Sequence, residues 1–142
     1  MVGILLVTHG EFGAYLLEAA EEIVGRDPHA LVRPVAISRR IPLAEVRQRL
    51  RVEIERMLEQ SRGDGVLTLC DMLGGTPCNE TLLMAKGLQQ VEVLTGVNLY
   101  MAISALMDSG KLGLRDLAKK VREDGRRSVA DAKEILAAKN IV

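Results

Sequence analysis

A chain of 142 residues with 48% hydrophobic content has the length of one domain that buries its own core, so residues 1–142 are expected to form a single domain. Aromatic residues make up only 2%; the core must be built from Leu, Val, Ile, Ala and Met, and the stacking platforms of single-strand nucleic-acid binders are missing. The formal net charge is +0, which speaks against a general electrostatic attraction to nucleic acid or to an anionic membrane.

Residues 2–8 centre on the apolar run Ile4-Leu5-Leu6-Val7, the pattern of a buried parallel strand. The run ends in Thr8-His9-Gly10 and so delivers an imidazole to the strand's carboxyl end. It is too short for a signal peptide or a membrane span and follows no basic region, so a cytoplasmic protein without direct membrane insertion is expected. Residues 11–25 read as a helix: Phe12, Leu16, Ala19, Ala20, Ile23 and Val24 follow the helical period, and Gly25 suits the C-terminal cap. Leu31 to Ile37 reads as a second strand, and Pro34 within it demands an edge position. Pro42 opens a helix that continues through Leu43, Val46, Leu50, Ile54, Met57 and Leu58 to about Gln60.

Residues 65–71 form a third apolar strand that ends in an acid, Asp71. Leu73-Gly74-Gly75 is a loop, and Thr76 is expected to cap the next helix with Pro77 at its first position. Val91 to Thr95 is a fourth strand. Asn98 is placed to cap a helix over Leu99, Ile103, Leu106 and Met107. The last third reads as helix with breaks at Gly110, Gly113 and Gly125, and Ser128-Val129-Ala130-Asp131 has the look of a capping box. Residues 126–142 fit helix better than strand.

Strand and helix alternate at the spacing of a doubly wound α/β fold, a mostly parallel sheet with helices on both faces. Right-handed crossovers with strand one in the middle give the order 2-1-3-4. The topological switch point then lies between strands one and three, and ligands collect there at the carboxyl ends. His9 and Asp71 end those two strands and are expected to converge. The other histidine, His29, lies in a polar stretch that reads as exposed loop.

An acid that accepts a hydrogen bond from one imidazole nitrogen leaves the other with a free lone pair, able to act as base, ligand or nucleophile. Helix N-termini and glycine turns offer N–H groups to an anion, which makes Gly10, Gly74, Gly75 and Thr76 the expected phosphate cradle. One histidine and one acid do not make a catalytic zinc site, so no metal or cofactor is expected. Cys70 and Cys78 form no CxxC and read as buried thiols. No Walker motif, GxGxxG or nucleophile elbow occurs.

Val7-Thr8-His9-Gly10, followed about sixty residues later by Asp71-Met72-Leu73-Gly74-Gly75-Thr76-Pro77-Cys78-Asn79, resembles the mannose-family enzyme IIA domain of the phosphoenolpyruvate-dependent sugar phosphotransferase system. Gly96-Val97-Asn98-Leu99 resembles a third segment of the same family, and the likeness spans about residues 1–130 in order. The resemblance implies a phosphocarrier that accepts a phosphoryl group from the histidine-containing phosphocarrier protein onto His9. It passes that group to an enzyme IIB in sugar uptake, in association with a membrane permease. Asp71 matches the family's active-site acid and Thr76 a hydroxyl residue near the phosphate. Leu73 and Cys78 stand where some members carry aromatic residues. The resemblance also implies a homodimer, in some members built by a C-terminal strand that adds an extra edge to the neighbour's sheet. Two other roles fit the same residues: a module phosphorylated on His9 to report status, and the phosphocarrier subunit of phosphoenolpyruvate-dependent dihydroxyacetone kinase. The sugar is not written in a domain that handles only phosphate.

Overall fold

In the computed structural model, which describes residues 1–140, four parallel strands lie in the order β2-β1-β3-β4. The elements are β1 (Gly3–His9), α1 (Phe12–Val24), β2 (Val32–Ile37), α2 (Leu43–Ser61), β3 (Val66–Cys70), α3 (Thr76–Ala85) and β4 (Val91–Leu94). They are followed by α4 (Leu99–Asp108), α5 (Leu114–Arg127) and α6 (Ala132–Ala138). This is the doubly wound α/β sheet of order 2-1-3-4 that the alternation predicts.

Side chains alternate across each strand, so β1 feeds two cores. Leu5 and Val7 pack with Val35, Val46, Leu50 and Ile54 on the α2 side. Ile4 and Leu6 pack with Leu69, Met101, Leu117 and Val121 on the α4–α5 side. With both faces covered, β1 has no polar position to spare before Thr8, and its sequence is a continuous apolar run. Pro34 sits in the edge strand β2, paired with Leu6, where its missing N–H costs little.

Caps follow the sequence in part. Gly25 closes α1 at φ +85°, and the Asn98 side chain accepts the Met101 N–H at 3.0 Å. Thr76, however, is not a cap: Gly75 holds the extended cap position (φ −79°, ψ 158°), Thr76 is the first helical residue, and no side chain caps α3. Ser128 does not open a capping box either. Its backbone is still helical (φ −74°, ψ −20°), and its hydroxyl donates to the Gly125 carbonyl at 2.6 Å. A cap residue needs an extended backbone, which Asp131 has; its carboxylate accepts the Glu134 N–H at 3.1 Å and starts α6.

Gly125 does not break the C-terminal helix but lies inside α5, buried against α4. A Cβ there would stand 2.4 Å from Met101 Cγ, so the glycine is needed for close helix packing. Phe12 and Ile23 follow the helical period of α1 yet are exposed. Among the described residues the C-terminus adds no fifth strand; Ile141 and Val142 lie outside them. No helix of the described residues is long and apolar enough to cross a membrane.

Candidate active site

β1 carries the chain to its carboxyl edge and ends at His9. The turn that follows is held by Thr8, which is buried although polar. Its hydroxyl accepts the Gly13 N–H at 2.8 Å and so ties the end of β1 to the first turn of α1. Gly10 turns the chain with φ +52°, a left-handed conformation that suits glycine, and its N–H donates to the Ile37 carbonyl at 3.0 Å. That donor is engaged within the protein, unlike the free anion donor expected of Gly10.

Asp71 follows β3, the neighbour of β1, with Val7 opposite Cys70. The carboxylate reaches across. Its Oδ2 accepts the His9 backbone N–H at 2.9 Å and lies 2.6 Å from the ring Nδ1; its Oδ1 accepts the Met72 N–H at 2.9 Å. Burial pushes the Asp71 carboxyl up, but the hydrogen bonds from His9 and Met72 and the nearby imidazole outweigh it and leave the carboxyl below its ordinary value. An ionised carboxylate only accepts, so Nδ1 carries the ring proton and Nε2 keeps its lone pair. The acid side chain is 13% exposed and the imidazole 46%: one is sheltered, the other offered to solvent.

His9 borders a cleft of about 390 Å³ shared with Ser38, Arg39, Gly74, Gly75 and Thr76. Gly75 lies against the ring, where a Cβ would stand 2.7 Å from His9 Cε1 and 3.3 Å from Nε2. Gly74 turns at φ +88°, and Asn79 Nδ2 braces it by donating to its carbonyl at 3.2 Å. The α3 N-terminus opens on this cleft, where the first N–H groups of a helix have no partner within it; here these are the N–H groups of Thr76 and Cys78, since Pro77 has none and the Gly75 N–H donates to the Met72 carbonyl at 3.4 Å. The structure thus gathers His9, Asp71, Gly74, Gly75 and Thr76 at one sheet edge. His29 precedes β2 in an exposed turn, where its N–H donates to Asp27 Oδ1 at 2.8 Å, at the opposite edge of the sheet from His9. A cleft of similar volume between α4 and α5, with Tyr100, Lys120 and Asp124, holds neither histidine.

Two features escaped the sequence reading. Thr8 is a brace, recognisable only once α1 is folded back on β1. Arg39 lines the cleft because it follows Ile37, the register partner of His9; the predicted strand order contained that signal. Among the described residues no group of three His, Cys, Asp or Glu side chains is arranged to hold a metal ion. Cys70 and Cys78 are free and buried. Burial, then the neighbouring Cys78, pushes the Cys70 thiol up to about 12, which keeps it protonated near neutral pH.

The strand order and the histidine–carboxylate pair at its switch point define an α/β domain of the kind that the sequence resembles. A family model described as PTS system fructose IIA component (EIIA-man) matches residues 3–122, and the chain belongs to that family. It is therefore a IIA-type domain of the sugar phosphotransferase system. Similar solved structures include the phosphotransferase system component EIIA from Streptococcus agalactiae, 26% identical, with a TM-score of 0.81, covering 94% of this chain and 99% of that one. The mannose/sorbose specific IIA subunit from Enterococcus faecalis is 27% identical, with a TM-score of 0.77 over 92% of this chain and 93% of that one. The PTS IIA protein associated with the fucose utilization operon from Streptococcus pneumoniae, at 24% identity, has a TM-score of 0.81 over 96% of this chain and 99% of that one, and shares the fold. No curated protein matched.

Proposed function

We propose that this single domain is a phosphocarrier of sugar uptake in which His9 Nε2 accepts a phosphoryl group and hands it on. The observation that carries the reading is the 2.6 Å contact of His9 Nδ1 with Asp71, which directs the remaining lone pair away from the acid. The Nε2 lone pair forms a bond to phosphorus as the bond to the donor breaks, and that electron pair returns to the donor nitrogen. The ring gains positive character, and Asp71 stabilises it through the shared Nδ1 proton. Thr76, Gly74, Gly75 and the open end of α3 face the phosphoryl oxygens; Gly10 shapes the turn. Phosphoryl transfer depends mainly on such positioning and charge stabilisation.

The donor is the histidine-containing phosphocarrier protein and the acceptor an enzyme IIB, in the cytoplasm and serving a membrane permease. This follows from the family together with a half-exposed histidine that a partner protein can reach. The chain works as a homodimer. Val129 is 85% exposed, Ile135 is 42% exposed and no residue of α6 is fully buried, so the C-terminal apolar stripe is left largely open, although Ile135 borders the cleft between α4 and α5 and Leu136 is half-buried.

The test is labelling from phosphoenolpyruvate in the presence of the purified general components. Wild type and His29→Ala take up acid-labile, base-stable phosphate, and His9→Gln takes up none. Full labelling of His9→Gln would overturn the assignment.

A further inference from the structure

Beyond the histidine, its acid and the glycine turns, the cleft contains one more charged side chain. β2 ends at Ile37, directly beside His9, and the chain continues through Ser38-Arg39-Arg40 before α2 begins at Leu43. Ser38 closes this turn. Its hydroxyl accepts the Arg40 N–H at 3.2 Å, and its carbonyl accepts the Ile41 N–H at 3.5 Å. The turn brings Arg39 to the cleft with His9, Gly74, Gly75 and Thr76, while Arg40 is not among the lining residues. Of the residues lining the cleft, only His9 and Arg39 are ionisable.

Arg33 pairs with Glu53, Arg47 with Glu80 and Arg49 with Glu45, whereas neither Arg39 nor Arg40 has an ion-pair partner among the described residues, and of these two only Arg39 lines the cleft. A phosphoryl group on Nε2 carries negative charge on its oxygens, and the Asp71 carboxylate on the far side of the ring repels it. Helix N–H groups offset only part of that repulsion, because they are partial charges. A guanidinium, always charged and planar, matches phosphate oxygens with two parallel N–H donors.

We propose that Arg39 binds the phosphoryl group on His9, as the cationic half of a clamp whose other half is the N-terminus of α3. The proposal rests on the phosphocarrier reading and adds a residue to it. Arg39 neither gives nor takes a proton. The Nε2–P bond forms as the donor's N–P bond breaks, and Arg39 holds the equatorial oxygens throughout. It touches the transferred group and is in this sense a catalytic residue.

The experiment compares wild type, Arg39→Gln, Arg39→Lys and Arg40→Gln, each phosphorylated by the carrier protein and, separately, by phosphoramidate. The expected result is a loss of roughly 10–100-fold in transfer rate for Arg39→Gln, partial recovery for Arg39→Lys, and the wild-type rate for Arg40→Gln. Thermal melting is unchanged, since Arg39 is exposed and makes no ion pair. A phosphorus NMR titration supplies a readout that a structural role would not move: the second ionisation of the bound phosphoryl group shifts to higher pH in Arg39→Gln. A wild-type rate with an unmoved titration in Arg39→Gln overturns the assignment and leaves the carrier reading intact. Equal slowing in Arg39→Gln and Arg40→Gln points to a diffuse field and also overturns it. Wild type that takes no label on His9 from either donor overturns the carrier reading, and the role of Arg39 with it.

Discussion

Asp71 holds His9 by its main chain and by its ring: one carboxylate oxygen lies 2.9 Å from the His9 amide nitrogen and 2.6 Å from Nδ1. The imidazole is thereby oriented relative to the backbone of β1, and the third bond, from the Met72 N–H, anchors the carboxylate itself. Removing the charge while keeping the shape separates orientation from electrostatics. Asp71→Asn is expected to fold and still to label on His9, but with a rate lower by on the order of 10²–10⁴-fold. Rapid-quench labelling checks this; a wild-type rate in a folded Asp71→Asn protein would show that the two side chains are not coupled.

The same carboxyl makes a pH prediction. Its value in the folded chain lies below that in the unfolded chain. Its contribution to stability is therefore complete above the ordinary carboxyl range, near pH 3.9, and is lost as pH falls through the lower folded value. Urea unfolding of wild type between about pH 5 and pH 2 is expected to show an acid-side decline that is shallower in Asp71→Asn. Parallel curves for the two proteins would contradict this.

Gly75→Ala tests the approach of the loop to the ring. The new methyl would stand 2.7 Å from His9 Cε1, so the imidazole must swing or the loop must move. A misplacement of about 1 Å at a reacting centre costs on the order of 10²-fold, and a loss of that size is expected with little change in melting temperature. Retention of wild-type transfer would mean that the ring position is not critical.

Gly125→Ala separates helix propensity from packing. Alanine favours a helix interior over glycine by about 1 kcal/mol, whereas overpacking costs roughly 1–3 kcal/mol. With Met101 Cγ only 2.4 Å from the new Cβ, packing is expected to win, and the variant unfolds at lower denaturant. In a Met101→Ala background the sign should reverse, to neutral or stabilising. A destabilisation of equal size in both backgrounds would place its cause elsewhere.

The exposed C-terminal stripe yields a mass prediction. Light scattering at micromolar concentration is expected to give twice the chain mass of 15.5 kDa, and Val129→Asp with Ile135→Asp to lower it toward the monomer. A monomer for the unaltered protein would remove the dimer from the reading.

Much of the fold was legible because its causes are local. The unbroken Ile4–Val7 run reports burial on two faces, Pro34 reports an edge, and Asn98 caps the helix that it precedes. What was not legible depends on residues far apart in sequence. Gly125 looks like a helix break until Met101 is packed on it. Phe12 and Ile23 keep the helical period of α1, yet both stay exposed while the helix packs on β1, β2 and α4. In the site, His9 and Asp71 were readable because each ends a strand and strand order joins them. Thr76 has the hydroxyl of a cap residue, but the extended backbone that decides capping belongs to Gly75.

The half-open seating of the imidazole sets the tempo of any relay built on it. With 46% of the His9 side chain open, a partner needs no lid to move before it can dock, but water enjoys the same approach. A group parked there is lent rather than stored. The molecule would serve best where donor and acceptor are abundant and collisions are frequent, so that its charged fraction tracks the momentary balance of supply and demand.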